Sequence, residues 1–160
     1  MILVLVGLLV VVALFCFVVL FGAPYLPTFR RQAEQALDML ELKKGQTLYE
    51  LGCGDGKVLL LAAQRGYKVV GYELNPILAA VSWLRTRRYG RQVRVVWGNF
   101  WWADLSPADG IFVFLLHRYM KKLDKKLIKI NKPLRLVSYA FKIPDKKPAI
   151  VKKGLYRYDY

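Results

Sequence analysis

The pattern of apolar and polar residues changes sharply near residue 29. Residues 1–29 carry no charged side chain, and nearly every residue from Ile2 to Phe21 is apolar. About 20 such residues in a helix rise roughly 30 Å, which matches the hydrocarbon core of a bilayer. The pattern predicts a transmembrane anchor over residues 1–22. A secretory signal peptide is the alternative, although its basic start, shorter apolar run and small-residue cleavage site are not evident.

Short apolar runs alternate with amphipathic segments through the rest of the chain. Strands are predicted at residues 47–51, 67–72, 92–97, 110–116 and 134–141, with helices at 30–42, 57–64, 76–89 and 118–130. Residues 149–160 are predicted to form a β-hairpin. Strands that alternate with helices through short connections form a mainly parallel sheet. The expected fold class is therefore α/β, with one Rossmann-like, doubly wound domain over residues 23–160, preceded by one N-terminal transmembrane helix.

The net charge of +15 is concentrated towards the end of the chain. Residues 30–116 contain 12 basic and 8 acidic residues, whereas residues 117–160 contain 14 and 3. Arg30 and Arg31 follow the predicted anchor, and positive residues stay on the cytoplasmic side. The expected location is therefore a single-pass membrane protein whose folded domain is cytoplasmic. The basic flank is expected to bind anionic lipid headgroups, with nucleic acid as the competing partner and a merely solvated surface as the third explanation.

Two cysteines leave little scope for disulfides or metal sites. Cys16 lies in the predicted anchor and Cys53 in a glycine-rich turn, so the two are not expected to meet. No cysteine or histidine spacing typical of a metal site occurs, and no metal is expected. This usage is typical of a reducing compartment.

The most informative segment is the glycine-rich stretch at residues 49–56, YELGCGDG. A glycine turn between a strand and a helix lets a ligand approach the backbone and presents N–H groups at a helix N-terminus. A nicotinamide or flavin fingerprint, G-x-G-x-x-G, would require glycine where Lys57 stands. The glycines lie instead at positions 52, 54 and 56, with Glu50 two residues before the first. This spacing suits a ligand with an amino acid tail; the alternative is a tight turn beside surface acids.

S-adenosylmethionine is a ligand of this kind. Gly52 and Gly54 would leave room for its methionine moiety, and Glu50 would attract its ammonium and sulfonium charges. Glu73 ends the second predicted strand, where a carboxylate can accept hydrogen bonds from both ribose hydroxyls. Ligands of such folds bind at the strand ends where the strand order reverses.

The end of the third predicted strand offers groups for an adenine ring. Asn99 and an adjacent amide would bind the adenine edge, with Phe100 or Leu74 against its face. Trp101 and Trp102 follow directly. These two rings would stack on adenine, fill the core or form an interfacial aromatic belt.

Two motifs together resemble the class I S-adenosylmethionine-dependent methyltransferases: ELGCGDG at residues 50–56 and GYELNP at residues 71–76. With the hydrophobic N-terminus and PYLPT at residues 24–28, the chain resembles one branch of that class. This branch is the single-span lysine methyltransferase family whose mitochondrial members modify the adenine nucleotide translocase and the ATP synthase c subunit. The likeness extends from about Gly22 to the C-terminus.

The resemblance implies that Thr28 lies over the cofactor, that the glycine loop holds its methionine end, and that Glu73 and Asn75 hold its ribose side. The complete set of predicted cofactor-binding residues is Thr28, Glu50, Gly52, Cys53, Gly54, Gly56, Glu73, Leu74, Asn75, Asn99 and Phe100.

Methyl transfer needs alignment and exclusion of water more than it needs a base. A lysine acceptor must be neutral, and a desolvating aromatic channel would favour that form. We therefore name no catalytic residue; Tyr25, Trp101 and Tyr139 are candidate channel residues, and His117 is a candidate proton acceptor or a structural residue.

The leading functional hypothesis is N-methylation of a lysine on a membrane protein, because an anchor would raise the local concentration of such acceptors. Methylation of a lipid or quinone-like molecule is the second hypothesis. A non-catalytic module that binds through the lysine-rich helix is the third.

Overall fold

The computed structural model describes residues 2, 4–9, 12 and 26–160. Within residues 26–160, seven strands form one sheet, which four α-helices cover. The strands are β1 (Thr47–Leu51), β2 (Lys68–Glu73), β3 (Val93–Trp97), β4 (Gly110–Val113), β5 (Arg135–Tyr139), β6 (Ile150–Lys152) and β7 (Leu155–Asp159). The helices are α1 (Arg30–Leu40), α2 (Lys57–Gln64), α3 (Pro76–Thr86) and α4 (His117–Leu127). Two 3₁₀ turns span Arg87–Gln92 and Phe100–Trp102.

The strand order across the sheet is β3-β2-β1-β4-β5-β7-β6. The first five strands run parallel, and β7 lies antiparallel to both β5 and β6. The expected Rossmann-like, mainly parallel α/β sheet and the hairpin at its end are therefore confirmed. The order reverses between β1 and β4, so a crevice opens at the carboxyl ends of these strands, where such folds bind ligands.

Two apolar clusters fill the space between the sheet and the helices. On one face, Leu37 and Leu40 of α1 and Leu59 of α2 pack together with Phe112 of β4. On the other face, the cluster includes three buried residues of α4, at positions 120, 123 and 127. Both faces of the central strands are covered, which explains why these strands read as continuous apolar runs.

Helix boundaries differ from the predictions by a few residues. Helix α1 ends at Leu40 instead of residue 42, because Glu41 adopts a left-handed conformation (φ 48°) and its N–H donates back to the Asp38 carbonyl. Helix α3 ends at Thr86 and continues as a 3₁₀ turn. Strand β4 ends at Val113, three residues early, since the chain then leaves the sheet to line a pocket.

The predicted transmembrane anchor lies largely outside the described residues. Residues 4–9 are helical and exposed. No helix in the described part of the chain is both long and apolar enough to cross a bilayer, which takes about 20 residues. These residues therefore give no support to the predicted location, a single-pass membrane protein with its catalytic domain in the cytoplasm.

Candidate active site

A pocket opens at the carboxyl ends of β1, β2, β3 and β4, and most of the predicted cofactor residues line it. Nine of the eleven do so; these are Thr28, Glu50, Gly52, Cys53, Gly54, Glu73, Leu74, Asn99 and Phe100. These residues come from four separate stretches of sequence. The parallel sheet brings them together because the carboxyl ends of its strands share one edge.

The glycine loop forms the floor of the pocket. The Gly52 and Cys53 amides both donate to the Tyr72 carbonyl, at 2.9 Å each, which fastens the loop to β2. Gly52 has φ +87° and Gly54 has φ +52°, in the left-handed region that residues with a Cβ rarely adopt. A Cβ on Gly52 would meet nothing within 4 Å, so the backbone there is open to a ligand.

Glu50 is buried at the end of β1, with 5% of its surface exposed. Its Oε2 atom has no hydrogen-bond partner among the described residues. Burial raises the pKa of this carboxyl well above its usual range, and the charges of Asp55 and Glu73 add to the effect. A buried carboxylate without a partner is costly, so a cation bound beside it would be stabilised and would restore its charged form.

Glu73 connects the glycine loop to the end of β2. Its Oε2 accepts from the Gly54 amide at 2.8 Å and its Oε1 from the Asn75 amide at 2.9 Å. The carboxylate thus positions the loop, a role that the sequence did not indicate. Each oxygen retains a lone pair that points away from these amides, so the carboxylate can still accept a hydrogen bond from a ligand hydroxyl.

Two of the predicted cofactor residues do not line the pocket. The Asn75 side chain caps helix α3, with Oδ1 accepting from the amides of Ile77 (2.9 Å) and Leu78 (3.3 Å). Gly56 lies at the N-cap of α2 and packs against Ser82 of α3. The structure therefore gives both residues a role in helix packing and capping.

The β3 end of the pocket presents Leu74, Asn99 and Phe100. Asn99 Oδ1 accepts from the Trp101 amide at 3.0 Å and so starts the 3₁₀ turn. Its side-chain NH₂ is not used in that contact. The Trp97 ring, 68% exposed, donates from Nε1 to the Leu74 carbonyl at 3.1 Å.

The aromatic end of the pocket adjoins Phe100, whose ring centroid lies 4.7 Å from that of Trp101. Trp101, Phe114 and Tyr119 line it, and the Trp101 and Tyr119 ring centroids lie 6.1 Å apart. Tyr139 does not line it, but its ring packs on Phe114 at 4.7 Å. Of the other candidates, Tyr25 lies outside the described residues and His117 is exposed and away from the lining.

Two charged residues that were not predicted from the sequence line the pocket beside the glycine loop, Asp55 and Lys57. Lys57 Nζ donates to the Thr28 carbonyl at 3.3 Å and so holds the segment before α1 against the pocket. Asp55 pairs with Arg85 of α3 at 2.5 Å. Partial burial raises the pKa of Asp55, but the hydrogen bond and charge of Arg85 outweigh it, and the pKa is lowered. The position of Asp55 and Lys57 beside the start of α2 was the feature of the sequence that could have indicated their place in the pocket.

Lys126 of α4 holds the turn that carries Trp101. Its Nζ donates to the Trp101 carbonyl at 3.0 Å and the Ala103 carbonyl at 2.7 Å. We expect Lys126→Met to lower the free energy of unfolding by about 1–2 kcal/mol, because hydrogen bonds from a charged donor are lost and two carbonyls lose a partner.

Urea unfolding of this variant and of Lys125→Met checks the expectation, since Lys125 is exposed and serves as the matched control. Equal effects of the two substitutions would show that the contacts to the turn contribute nothing.

Comparison with known families identifies the fold and the site. A family model described as the ANTKMT methyltransferase domain matches residues 50–150. A protein-lysine N-methyltransferase of Saccharolobus islandicus (strain REY15A) is 33% identical over 135 residues, covering 81% of this chain and 84% of that protein. The predicted single-pass membrane location is contradicted by the match along most of this archaeal protein.

The human lysine N-methyltransferase named for the c subunit of ATP synthase is 30% identical over 128 residues, covering 78% of this chain and 54% of that protein. The chain spans about half the length of the vertebrate relatives of this kind. An RNA methyltransferase from Salinibacter ruber, solved in complex with S-adenosyl-L-homocysteine, superposes with a TM-score of 0.78 at 26% identity, covering 84% of this chain and 93% of that one.

The match over residues 50–150 contains both motifs on which the resemblance was based, and the solved structure shares the sheet that brings them together. S-adenosylmethionine as cofactor is supported by the same comparisons. The chain therefore belongs to the ANTKMT methyltransferase domain family, within the class I S-adenosylmethionine-dependent methyltransferases.

Proposed function

We propose that this chain is an S-adenosylmethionine-dependent protein-lysine N-methyltransferase, with residues 23–160 as the methyltransferase domain. The observation that carries the proposal is the buried Glu50 carboxylate, which lines the pocket with one oxygen unpartnered. The amino acid end of S-adenosylmethionine supplies an ammonium group that would satisfy it. The relatives named as lysine methyltransferases support lysine as the acceptor.

The residues around the pocket fit S-adenosylmethionine in one orientation. Its methionine end would lie on Gly52, Cys53 and Gly54 beside Glu50, and its ribose would lie at Glu73. Its adenine would lie at the β3 end, among Leu74, Asn99 and Phe100. Thr28 would close the pocket from the segment held by Lys57. Gly56 and Asn75 support this arrangement through α2 and α3 without lining the pocket.

This orientation leaves the aromatic end of the pocket for the acceptor. When bound, the cofactor would supply a methyl group on a positively charged sulfur. A neutral amine would bond to the methyl carbon, and the sulfur would leave as a neutral thioether. The rings of Trp101 and Tyr119 would exclude water and hold the lysine stem in line. Exclusion of water disfavours the ammonium form of the acceptor. The acceptor ammonium would lose one proton to solvent before attack, because only the neutral amine has a free lone pair, so the pocket requires no dedicated base.

Incubation of the purified protein with methyl-labelled S-adenosylmethionine and a cell extract, followed by hydrolysis and amino acid analysis, tests this function. We expect label in methylated lysine, and we expect Glu50→Gln to lose most of it at low cofactor concentration. The extract should contain membranes, because relatives of this chain are named for the ATP synthase c subunit and for the adenine nucleotide translocase.

RNA is the alternative methyl acceptor to lysine, because the Salinibacter ruber protein that superposes on this chain is an RNA methyltransferase. Label found in RNA or in lipid, with none in lysine, would contradict the proposed function.

A further inference from the structure

Two basic side chains of helix α4 lie against the two aromatic rings at the acceptor end of the pocket. Lys122 Nζ lies 4.4 Å from the centroid of the Trp101 ring. The Arg118 guanidinium carbon lies 4.8 Å from the centroid of the Tyr119 ring. Both basic residues are exposed, and both rings line the pocket. The electron-rich ring faces attract these cations, so positive charge is held at the aromatic wall.

The acidic residues that line the pocket lie elsewhere. They are Glu50, Asp55 and Glu73, all in or beside the glycine loop. Asp55 is paired with Arg85, and Glu73 accepts hydrogen bonds from two backbone amides. Among the described lining residues, none at the aromatic end carries a carboxylate. A lysine that approaches this end therefore meets like charge, which disfavours its encounter unless the acceptor itself supplies negative charge.

We propose that the acceptor lysine is presented in an acidic protein segment, whose carboxylates pair with Arg118 and Lys122. This inference rests on the proposed lysine methyltransferase function and names the class of segment that the site selects. Arg118 and Lys122 are then specificity-determining residues, which act on the flanks of the lysine and not on the reacting atoms.

The reach of the two cations suits this kind of segment. Arg118 and Lys122 are four residues apart on α4, so their side chains leave the same face of the helix about 5–6 Å apart. In an extended peptide, side chains two positions before and two positions after the lysine point to the same side as the lysine, and they lie about 13 Å from each other. The long, exposed side chains of Arg118 and Lys122 can diverge to meet acidic residues at these two positions.

The other cations of α4 are less suited to this role. Lys126 is half-buried and donates to the Trp101 and Ala103 carbonyls. Lys121 pairs with Asp145 at 3.8 Å. Asp104, on the turn after Trp102, accepts hydrogen bonds from the Ser106 amide and hydroxyl within its own loop.

Methylation of three synthetic peptides by the full chain tests the proposal. The peptides share one central lysine and carry glutamate, glutamine or lysine two positions to either side. We expect kcat/KM for the glutamate peptide to exceed that for the glutamine peptide by about tenfold at low salt. A factor of this size corresponds to the combined contribution of two exposed ion pairs. The preference should shrink as salt is added, because exposed charges are screened.

Variants separate recognition from general damage. We expect Arg118→Gln/Lys122→Gln to reduce the preference for glutamate to about twofold or less, because the paired charges are gone. Arg118→Glu/Lys122→Glu should reverse the preference, so that the lysine-flanked peptide becomes the best acceptor. The control is Lys68→Gln/Lys152→Gln, which removes the same charge from exposed positions on β2 and β6 and should retain the wild-type preference.

Equal kcat/KM for the glutamate and glutamine peptides in the wild-type chain would overturn this inference while the proposed function stands. A preference for glutamate that survives in both α4 variants would overturn it as well, because residues other than Arg118 and Lys122 would then recognise the negative charge. Methylation of cellular RNA, with none of the three peptides accepted, would overturn the proposed function and this inference together.

Discussion

Glu50→Gln is expected to weaken S-adenosylmethionine binding by about 10- to 100-fold at pH 8, which is the loss that follows when a buried charged hydrogen-bond partner becomes neutral. The side chain keeps its size, and the pocket keeps its shape. The loss arises because an amide cannot offset the ammonium charge of the cofactor. Calorimetric titration of both proteins measures the two dissociation constants directly.

The same residue is expected to make cofactor binding pH-dependent. In the free protein the pKa of Glu50 is raised well above its usual range by burial, by Asp55 and by Glu73. A cationic ligand favours the carboxylate, so binding releases a proton wherever Glu50 is protonated beforehand. Affinity should therefore fall as the pH is lowered through this raised pKa, and the Glu50→Gln variant should lack that dependence.

Glu34→Gln is the matched control, because Glu34 lies on α1, away from the pocket lining, in a surface pair with Arg30. Its affinity and pH profile should follow those of the unaltered chain. The free energy of unfolding of the ligand-free Glu50→Gln variant should not fall, since the substitution removes a buried acid whose charged form is disfavoured in the folded chain. Equal affinity of Glu50→Gln and the unaltered chain would exclude the ion pair on which the proposed function rests.

Gly56→Ala is expected to lower the free energy of unfolding by about 3 kcal/mol or more, from left-handed strain and overpacking together. Gly56 has φ +74°, and a Cβ there would lie 2.3 Å from Ser82 Oγ and 2.9 Å from Ser82 Cα. The clash involves backbone, so helices α2 and α3 would have to separate. Urea unfolding, followed by circular dichroism, measures the loss.

Gly45→Ala isolates the contribution of backbone strain. Gly45 has φ +84°, but a Cβ there would meet nothing within 4 Å. Its cost should therefore be about 1–2 kcal/mol, the strain of the left-handed conformation alone. The double variant Gly56→Ala/Ser82→Gly should recover part of the loss, because it removes the side chain of Ser82. Similar losses at positions 45 and 56 would show that the contact with Ser82 does not limit the approach of the two helices.

Much of the fold was predictable because its signals are local. The apolar runs at 47–51 and 110–113 are buried strands, and the glycines at positions 52 and 54 have the positive φ that their turn requires. Nine of the eleven predicted cofactor residues line one pocket for the same reason. Each of them lies at the carboxyl end of a strand or in the loop that follows one, Thr28 excepted, and parallel strands end at the same edge of their sheet.

Local signals were ambiguous where two uses of a residue look alike in sequence. An asparagine before a proline serves equally to cap a helix or to contact a ribose, and only its contacts with the Ile77 and Leu78 amides show that Asn75 is a cap. Gly56 reads as a ligand-facing glycine, yet it meets Ser82, 26 residues away. The apolar N-terminus indicated a membrane location, which the match to the archaeal protein-lysine N-methyltransferase contradicts.

The residues themselves were enough to establish the order of strands and helices, the class of the sheet and the cofactor that its glycine turn suits. Periodicity, turn chemistry and motif spacing are properties of neighbours along the chain. The wall formed by Trp101, Phe114 and Tyr119, the cations held on it and the unpartnered oxygen of Glu50 depended on tertiary structure. These features arise from side chains of different elements that meet across the sheet edge, and their directions and distances are determined only when the helices pack.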